Sequence, residues 1–196
     1  MMILEELNSY TLILASQSPR RQQFLKDLGL NFEVRTKDIS EDYPFYLKGY
    51  KIPLHIAKEK ATPFLKELKE KDILITADTL IWFEERAIGK PKDYADAFAT
   101  LSAFSGKTHQ VISAVCLTRQ GKQCFFYDIT QVTFSALTSE MIHYYLSEYK
   151  PFDKAGSYGI QEWIGAVGIS RIEGSYNNVV GFPTHLFWDA LQKIIS

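Results

Sequence analysis

The sequence predicts an α/β fold built on a mixed β-sheet. Three observations lead there. Short apolar strands alternate with amphipathic helices through the first half of the chain, the pattern of parallel strand–helix units. Two long β-rich runs, 108–118 and 123–134, then follow one another with only Arg119-Gln120-Gly121-Lys122 between them, the spacing of an antiparallel hairpin. No internal repeat or low-complexity stretch interrupts the chain. Its 196 residues suffice for one domain, expected over 1–196, with a core that needs no metal or disulfide staple.

The elements follow in order. Residues 11–15 read as a short apolar strand. Residues 19–28 follow as a helix, with Ser18 at the N-cap and Pro19 at the first helical position, where its missing N–H costs nothing. Phe24, Leu25 and Leu28 share a face of that helix, and Gly29 stops it. Residues 32–36 form a second strand candidate, and 37–51 a polar, aromatic-rich loop. Across 53–70, Leu54, Ala57, Ala61, Leu65 and Leu68 recur at helical period, with a kink or break expected at Pro63. Asp72 introduces the buried strand ILITA, followed by a hairpin through 80–83, a Glu-Glu turn and 86–88. Asp93 caps a helix to about Phe104, and Thr138 caps another that ends at Lys150-Pro151. Residues 164–172 read as a final strand and 183–195 as a closing helix.

Composition excludes several function classes. Twenty-two Lys+Arg against 23 Asp+Glu leave a net charge of −1, so no global positive field exists to attract nucleic acid. The N-terminal stretch has two glutamates and only a short apolar run, unlike a secretory leader. No apolar run approaches the roughly 20 residues that span a bilayer. Cys116 and Cys124 match no metal or redox motif and read as reduced core thiols. The expectation is a cytoplasmic protein with neither nucleic-acid nor membrane partners; a homodimer is compatible with it.

Four segments carry chemistry. At the strand–helix junction, Arg20 and Arg21 occupy the positive end of a helix, where cations are locally unfavourable. They make sense if an anion such as phosphate comes there, although arginines extending into solvent are an equal alternative. Asp78 and Thr79 fall at the expected carboxyl end of the ILITA strand, where ligands of open α/β sheets bind; the bland alternative is a turn cap. Lys90, between Gly89 and Pro91, is held at a hairpin's end and could return over Asp78. Residues 153–165 place three glycines around Tyr158 and Gln161, a loop that could meet a flat ring or simply turn in solvent.

Taken together and in order, these segments resemble the Maf family of nucleotide pyrophosphatases. The matching pieces are LASQSPRR at 14–21, DISE at 38–41, IAKEKA at 56–61 and ADT at 77–79, then GKP at 89–91, SGKTHQV at 105–111, FDKAGSYGIQ at 152–161 and GSYNNVVGFP at 174–183. The resemblance implies an elongated central mixed sheet flanked by helices, with two lobes and a deep cleft, shared with inosine triphosphate pyrophosphatases. It implies hydrolysis of a nucleoside triphosphate between the α and β phosphates with a divalent cation, Mg²⁺ or Mn²⁺. On this reading Asp78 is the catalytic carboxylate and Glu41 a further acid near the metal. Ser16, Arg20, Arg21, Lys60 and Lys90 line the phosphate site. Arg20, Thr79 and Gln161 match the branch that prefers dTTP and UTP over 7-methylguanosine triphosphate, implying house-cleaning hydrolysis of these or of modified pyrimidine nucleotides. The chain departs from the family pattern in Glu162-Trp163, which adds bulk beside the expected base pocket, and in Ser40-Glu41, where a second acid often stands. The alternatives are a noncatalytic nucleotide-binding regulator of cell division, which would not need Asp78, and the same enzyme class with a preference for 7-methylguanosine triphosphate.

Overall fold

The computed structural model describes residues 2–195, so residues 1 and 196 of the expected domain lie outside it. Helix α1 (Met2–Leu7) leads into strand β1 (Thr11–Leu14), helix α2 (Pro19–Asp27) and strand β2 (Phe32–Val34). Ser18 caps α2 by accepting the Arg21 N–H, as its position predicts. Helix α3 (Lys51–Ala61) passes into a short 3₁₀ turn at Thr62–Phe64, so Pro63 breaks the helical period after Ala61. Strands β3 (Asp72–Phe83) and β4 (Arg86–Ile88), helix α4 (Tyr94–Phe104) and strands β5 (Thr108–Arg119) and β6 (Lys122–Phe134) come next. The β5–β6 turn holds Gln120 and Gly121 at φ 27° and 79°, the left-handed pair that a tight hairpin requires. Helices α5 (Ser139–Tyr149) and α6 (Trp163–Gly168), strand β7 (Ile169–Glu173) and helices α7 (Tyr176–Val180) and α8 (Thr184–Ile195) complete the chain.

The seven strands form one mixed sheet, in the order β2-β1-β3-β5-β6-β7 with β4 also pairing β3. β1 runs parallel to β2 and β3, and every other pair is antiparallel.

Two expectations need correction. The strand expected at 164–172 is a helix, α6, to Gly168 and a strand only from Ile169. Its apolar run is too short for periodicity to separate the two states, and Gly165 and Gly168 let a helical turn pack closely there. The strand through ILITA does not end there: β3 continues unbroken for 12 residues, so Asp78 and Thr79 lie in its middle. Two polar residues in succession imitate a strand end, but Asp78 pairs with Ala114 and Thr79 with Ser113 across the β5 ladder.

Alternation along β3 divides the core. Ile73, Ile75 and Ala77 face α2 and α8 together with Val115 and Leu117, whereas Ile81 and Phe83 on the same face join α4, α5 and α6. Between these two apolar clusters lies a polar belt of Thr79, Ser113 and Thr130, with Ser113, Thr130 and Asn178 fully buried. On the opposite face Leu74 and Cys116 pack under Ala57 and Ala61 of α3. The two clusters are the cores of two lobes, and the expected elongated mixed sheet runs through both. Cys116 is buried and Cys124 half-buried; both are free thiols.

Candidate active site

The site begins with a gap in the sheet. β1 pairs β3 only from Asp72 to Ile75, and β4 pairs it only from Ile81 to Phe83. From 76 to 80 one edge of β3 therefore has no neighbouring strand. β1 leaves the sheet at Ser16 to enter α2, and that departure opens the edge. Because successive side chains point to opposite faces, Asp78 projects toward α3 and Thr79 toward the polar belt, and both reach the same opening. A cleft of about 920 Å³ occupies it and is lined from both lobes.

On the α3 face, Lys60 meets two carboxylates. Its Nζ lies 2.9 Å from Asp78 Oδ1 and 2.7 Å from Glu41 Oε1. Lys60 stands in the last turn of α3, where the helix carbonyl ends favour a cation. Burial alone would raise the Glu41 carboxyl, but its hydrogen bond to Lys60 and the charges of Lys60, Lys90 and Arg21 together hold it below the ordinary carboxylate value. The loop residue Glu41, the helix residue Lys60 and the strand residue Asp78 thus form one charged cluster.

On the other face, Arg21 is spent on the chain itself. Its Nε donates to the Gly181 carbonyl at 3.1 Å and its Nη1 to the Ala77 carbonyl at 3.0 Å and to Ser16 Oγ at 3.4 Å. Its Nη2 donates to Thr79 Oγ1 at 3.1 Å. Ala77 is the informative acceptor. Two residues earlier on the same edge, the Ile75 carbonyl accepts the Ala15 N–H, so Arg21 takes over the edge where the neighbouring strand stops. Burial draws the guanidinium below its ordinary value, opposed by Asp78 and reinforced by Arg20. Arg21, expected at the phosphate site, makes four hydrogen bonds in this structure, to Ser16, Ala77, Thr79 and Gly181.

Thr79 passes this contact inward. Its hydroxyl lies 2.9 Å from Ser113 Oγ, which donates to the Asn178 carbonyl at 2.9 Å. Asn178 Nδ2 in turn donates to the Val111 carbonyl and to Thr130 Oγ1. Sequence reasoning missed Ser113 and Asn178. The only signal for Asn178 was its place in the GSYNNVVGFP motif, since α7 is too short to show a period.

The remaining expected residues line the same cleft. Ser16 caps the junction, accepting the Ser18 N–H at 3.2 Å. Arg20 is half-buried beside the cleft, its guanidinium 3.7 Å from Asp153 of the opposite lobe. Lys90 and Gln161 are exposed on the cleft wall. Tyr158, also on that wall, is held by His109, with Nε2 2.8 Å from the phenol oxygen. Burial pushes His109 down to about 3, so the ring is neutral and stacks on Phe104 and Phe134. All nine expected residues therefore converge on one cleft, but Arg21 and Thr79 form part of its floor.

The model of the family described as Maf-like protein matches residues 11–194, nearly the whole chain. The chain belongs to the Maf family. Among curated Maf-like relatives, the dTTP/UTP pyrophosphatase of Flavobacterium psychrophilum is 54% identical over 93% of this chain and 94% of that protein. Those of Flavobacterium johnsoniae and Phocaeicola vulgatus are 48% and 49% identical over 99% and 98% of this chain and 100% of each relative. Among solved structures, the Staphylococcus aureus Ham1 protein aligns at 13% identity and a TM-score of 0.46, covering 63% of this chain and 71% of that one. The cleft between the lobes of this Maf-family chain is the place to look for its chemistry. No helix among the described residues is long and apolar enough to cross a membrane.

Proposed function

We propose that this protein is a nucleoside triphosphate pyrophosphatase that hydrolyses dTTP and UTP to the monophosphate and diphosphate. The observation that carries the reading is the open edge of β3, where Asp78, joined to Glu41 through Lys60, faces a cleft lined by Arg20, Lys90 and Gln161. Relatives with that activity share about half of their residues with this chain over nearly their full length. A binding module has no need of a carboxylate held in a cationic cleft.

In-line hydrolysis at a triphosphate requires positioning and charge neutralisation more than covalent steps. Asp78 orients a water toward the α-phosphorus and takes its proton. The water oxygen forms the new P–O bond, the bond to the bridging oxygen breaks, and diphosphate departs with the electron pair. Lys60 fixes the rotamer of Asp78 and offers its remaining N–H to a phosphate oxygen. Arg20 and Lys90 bind the departing diphosphate, and Gln161 hydrogen-bonds the edge of the pyrimidine. Arg21 acts on these groups from below, by fixing Thr79 and the unpaired edge beside Asp78.

A divalent cation, Mg²⁺ or Mn²⁺, belongs to the proposal. Among the described residues no group of three or more His, Cys, Asp or Glu side chains could hold a metal ion. Mg²⁺, however, needs only one or two carboxylates when substrate phosphates supply further oxygens. Asp78 and Glu41, already brought to one ammonium, fit that requirement. The cation would neutralise phosphate charge and polarise the attacked phosphorus. Incubating the protein with each nucleoside triphosphate plus Mg²⁺ or Mn²⁺, and measuring diphosphate against phosphate, tests the proposal. Diphosphate release highest with dTTP and UTP supports it; tight nucleotide binding without turnover refutes it.

A further inference from the structure

The loop that presents Gln161 is fastened in a specific way. Gly159, Ile160, Gln161 and Glu162 form a tight turn, with the Glu162 N–H donating to the Gly159 carbonyl at 3.0 Å. Gln161 therefore sits at the turn's third position, near its tip. Both ends of the turn are tied to one hydroxyl. Tyr145 of α5 accepts the Gly159 N–H at 3.0 Å and donates to the Glu162 carboxylate. The other Glu162 oxygen lies 3.1 Å from Lys154 Nζ, which also contacts Asp153 at 2.8 Å.

The fit around this hydroxyl is close. Tyr145 is 0% exposed, and burial, followed by the neighbouring Glu162, pushes its phenol up, so it remains a donor. A Cβ on Gly159 would stand 2.8 Å from the Glu162 Cδ and 3.0 Å from both its oxygens. The missing side chain at 159 is what lets the carboxylate lie against the turn. Gly165, in the first turn of α6, is equally constrained, because a Cβ there would meet the Ile160 carbonyl oxygen at 1.8 Å. The turn is thus gripped at its first and last residues by Tyr145 and pressed from behind by α6.

We infer that Tyr145 and Glu162 are positioning residues for base selection, clamping both ends of the Gly159–Glu162 turn so that Gln161 meets the pyrimidine in one orientation. The inference rests on the pyrophosphatase reading and on the role given there to Gln161. It accounts for a carboxylate beside the base pocket that has no part in the hydrolytic step. A glutamate free to move there would repel the triphosphate; one neutralised by Lys154 and held by Tyr145 does not. An amide that recognises a base edge discriminates only while its orientation is fixed, since a mobile one can satisfy several bases.

The test compares Tyr145→Phe, Glu162→Gln, Glu162→Ala, Gln161→Ala and Tyr145→Phe/Gln161→Ala, measuring kcat and KM with UTP and with CTP. Tyr145→Phe keeps the ring but removes the hydroxyl, and is expected to lower the UTP-over-CTP ratio of kcat/KM by about tenfold, mainly through KM for UTP. Glu162→Gln still accepts from Tyr145 and is expected to retain the ratio to within about twofold, whereas Glu162→Ala loses it. The double variant should be no less selective than Gln161→Ala alone, because the clamp acts through Gln161. Amide hydrogen exchange at Gly159 should quicken in Tyr145→Phe. If Gln161→Ala loses selectivity while Tyr145→Phe keeps it, or if Tyr145→Phe lowers Tm alone, the clamp is refuted and the pyrophosphatase reading stands. If Gln161→Ala leaves the ratio unchanged, or no triphosphate is turned over, the base-selecting reading itself fails and the clamp's role fails with it.

Discussion

Lys60 Nζ lies 2.9 Å from Asp78 Oδ1, at the middle of a strand whose edge is uncovered there. The pair joins the last turn of α3 to β3, and it places a carboxylate, 13% exposed, in contact with the cleft without leaving it uncompensated. Most of what the site can do follows from that contact.

Asp78→Asn keeps the side-chain shape and can still accept from Lys60. The variant is expected to fold with a Tm near that of the parent and to lose about 10²–10⁴-fold in kcat for diphosphate release, the range spanned by a lost general base. A diphosphate-release assay beside a thermal melt checks both halves. Turnover within a few-fold of the parent would remove Asp78 from the chemistry.

The adjacent arginines should separate cleanly. Arg20 makes one ion pair at 3.7 Å with a largely exposed partner, so Arg20→Ala is expected to leave stability within about 1 kcal/mol while raising KM for the triphosphate. Arg21→Lys cannot reproduce a fork that reaches Ser16, Ala77, Thr79 and Gly181 together. It is expected to lose about 2–3 kcal/mol, a fall in Tm of roughly 5–10 °C. A lower Tm in the Arg20 variant than in the Arg21 variant would reverse the assignment.

His109 gives the protein a pH slope of known sign. Its folded value of about 3 lies below the ordinary 6.5, so the unfolded chain binds the extra proton below pH 6.5. The stability it supports is complete above 6.5 and falls as the pH drops toward 3, by about 2 kcal/mol between pH 6.5 and pH 5. Urea unfolding at these two pH values should show the loss in the parent and a flatter dependence in His109→Phe, which keeps the stack on Phe104 and Phe134.

Gly165→Ala places a methyl where the Ile160 carbonyl oxygen stands, and backbone yields less readily than a side-chain tip. The turn carrying Gln161 must move, at about 1–3 kcal/mol of stability and with a higher KM for UTP. Steady-state kinetics with a thermal melt measure both. An unchanged KM with a lowered Tm would place Gln161 outside substrate recognition.

Much of the framework was readable from the residues. The caps at Ser18, Asp93 and Thr138 each sit where a side-chain oxygen accepts a first-turn N–H, and all three start helices as expected. The β5–β6 hairpin was legible because its turn chemistry and its two runs agree. Periodicity failed where the run was short, at α6 and α7. It also failed at Asp78 and Thr79, since a strand bordering a cleft carries polar residues on both faces and so reads like a strand end. The nine candidate residues, picked out by type and order, line one cleft, but the bonds that Arg21 makes to the chain had no signal. A guanidinium contact that reaches over 58 positions to Thr79 and 160 to Gly181 leaves no local trace in the chain.

β3, β5 and β6 run 12, 12 and 13 residues without a break, and the β3–β5 register passes unshifted from one apolar cluster to the other. At about 3.3 Å per residue each strand is a beam of roughly 40 Å shared by both lobes. At the cleft these three strands pass from one lobe to the other uninterrupted, so a change in the angle between the lobes has to bend them. On the proposed function, admitting a longer or shorter nucleotide would therefore mean straining a ladder that both lobes share.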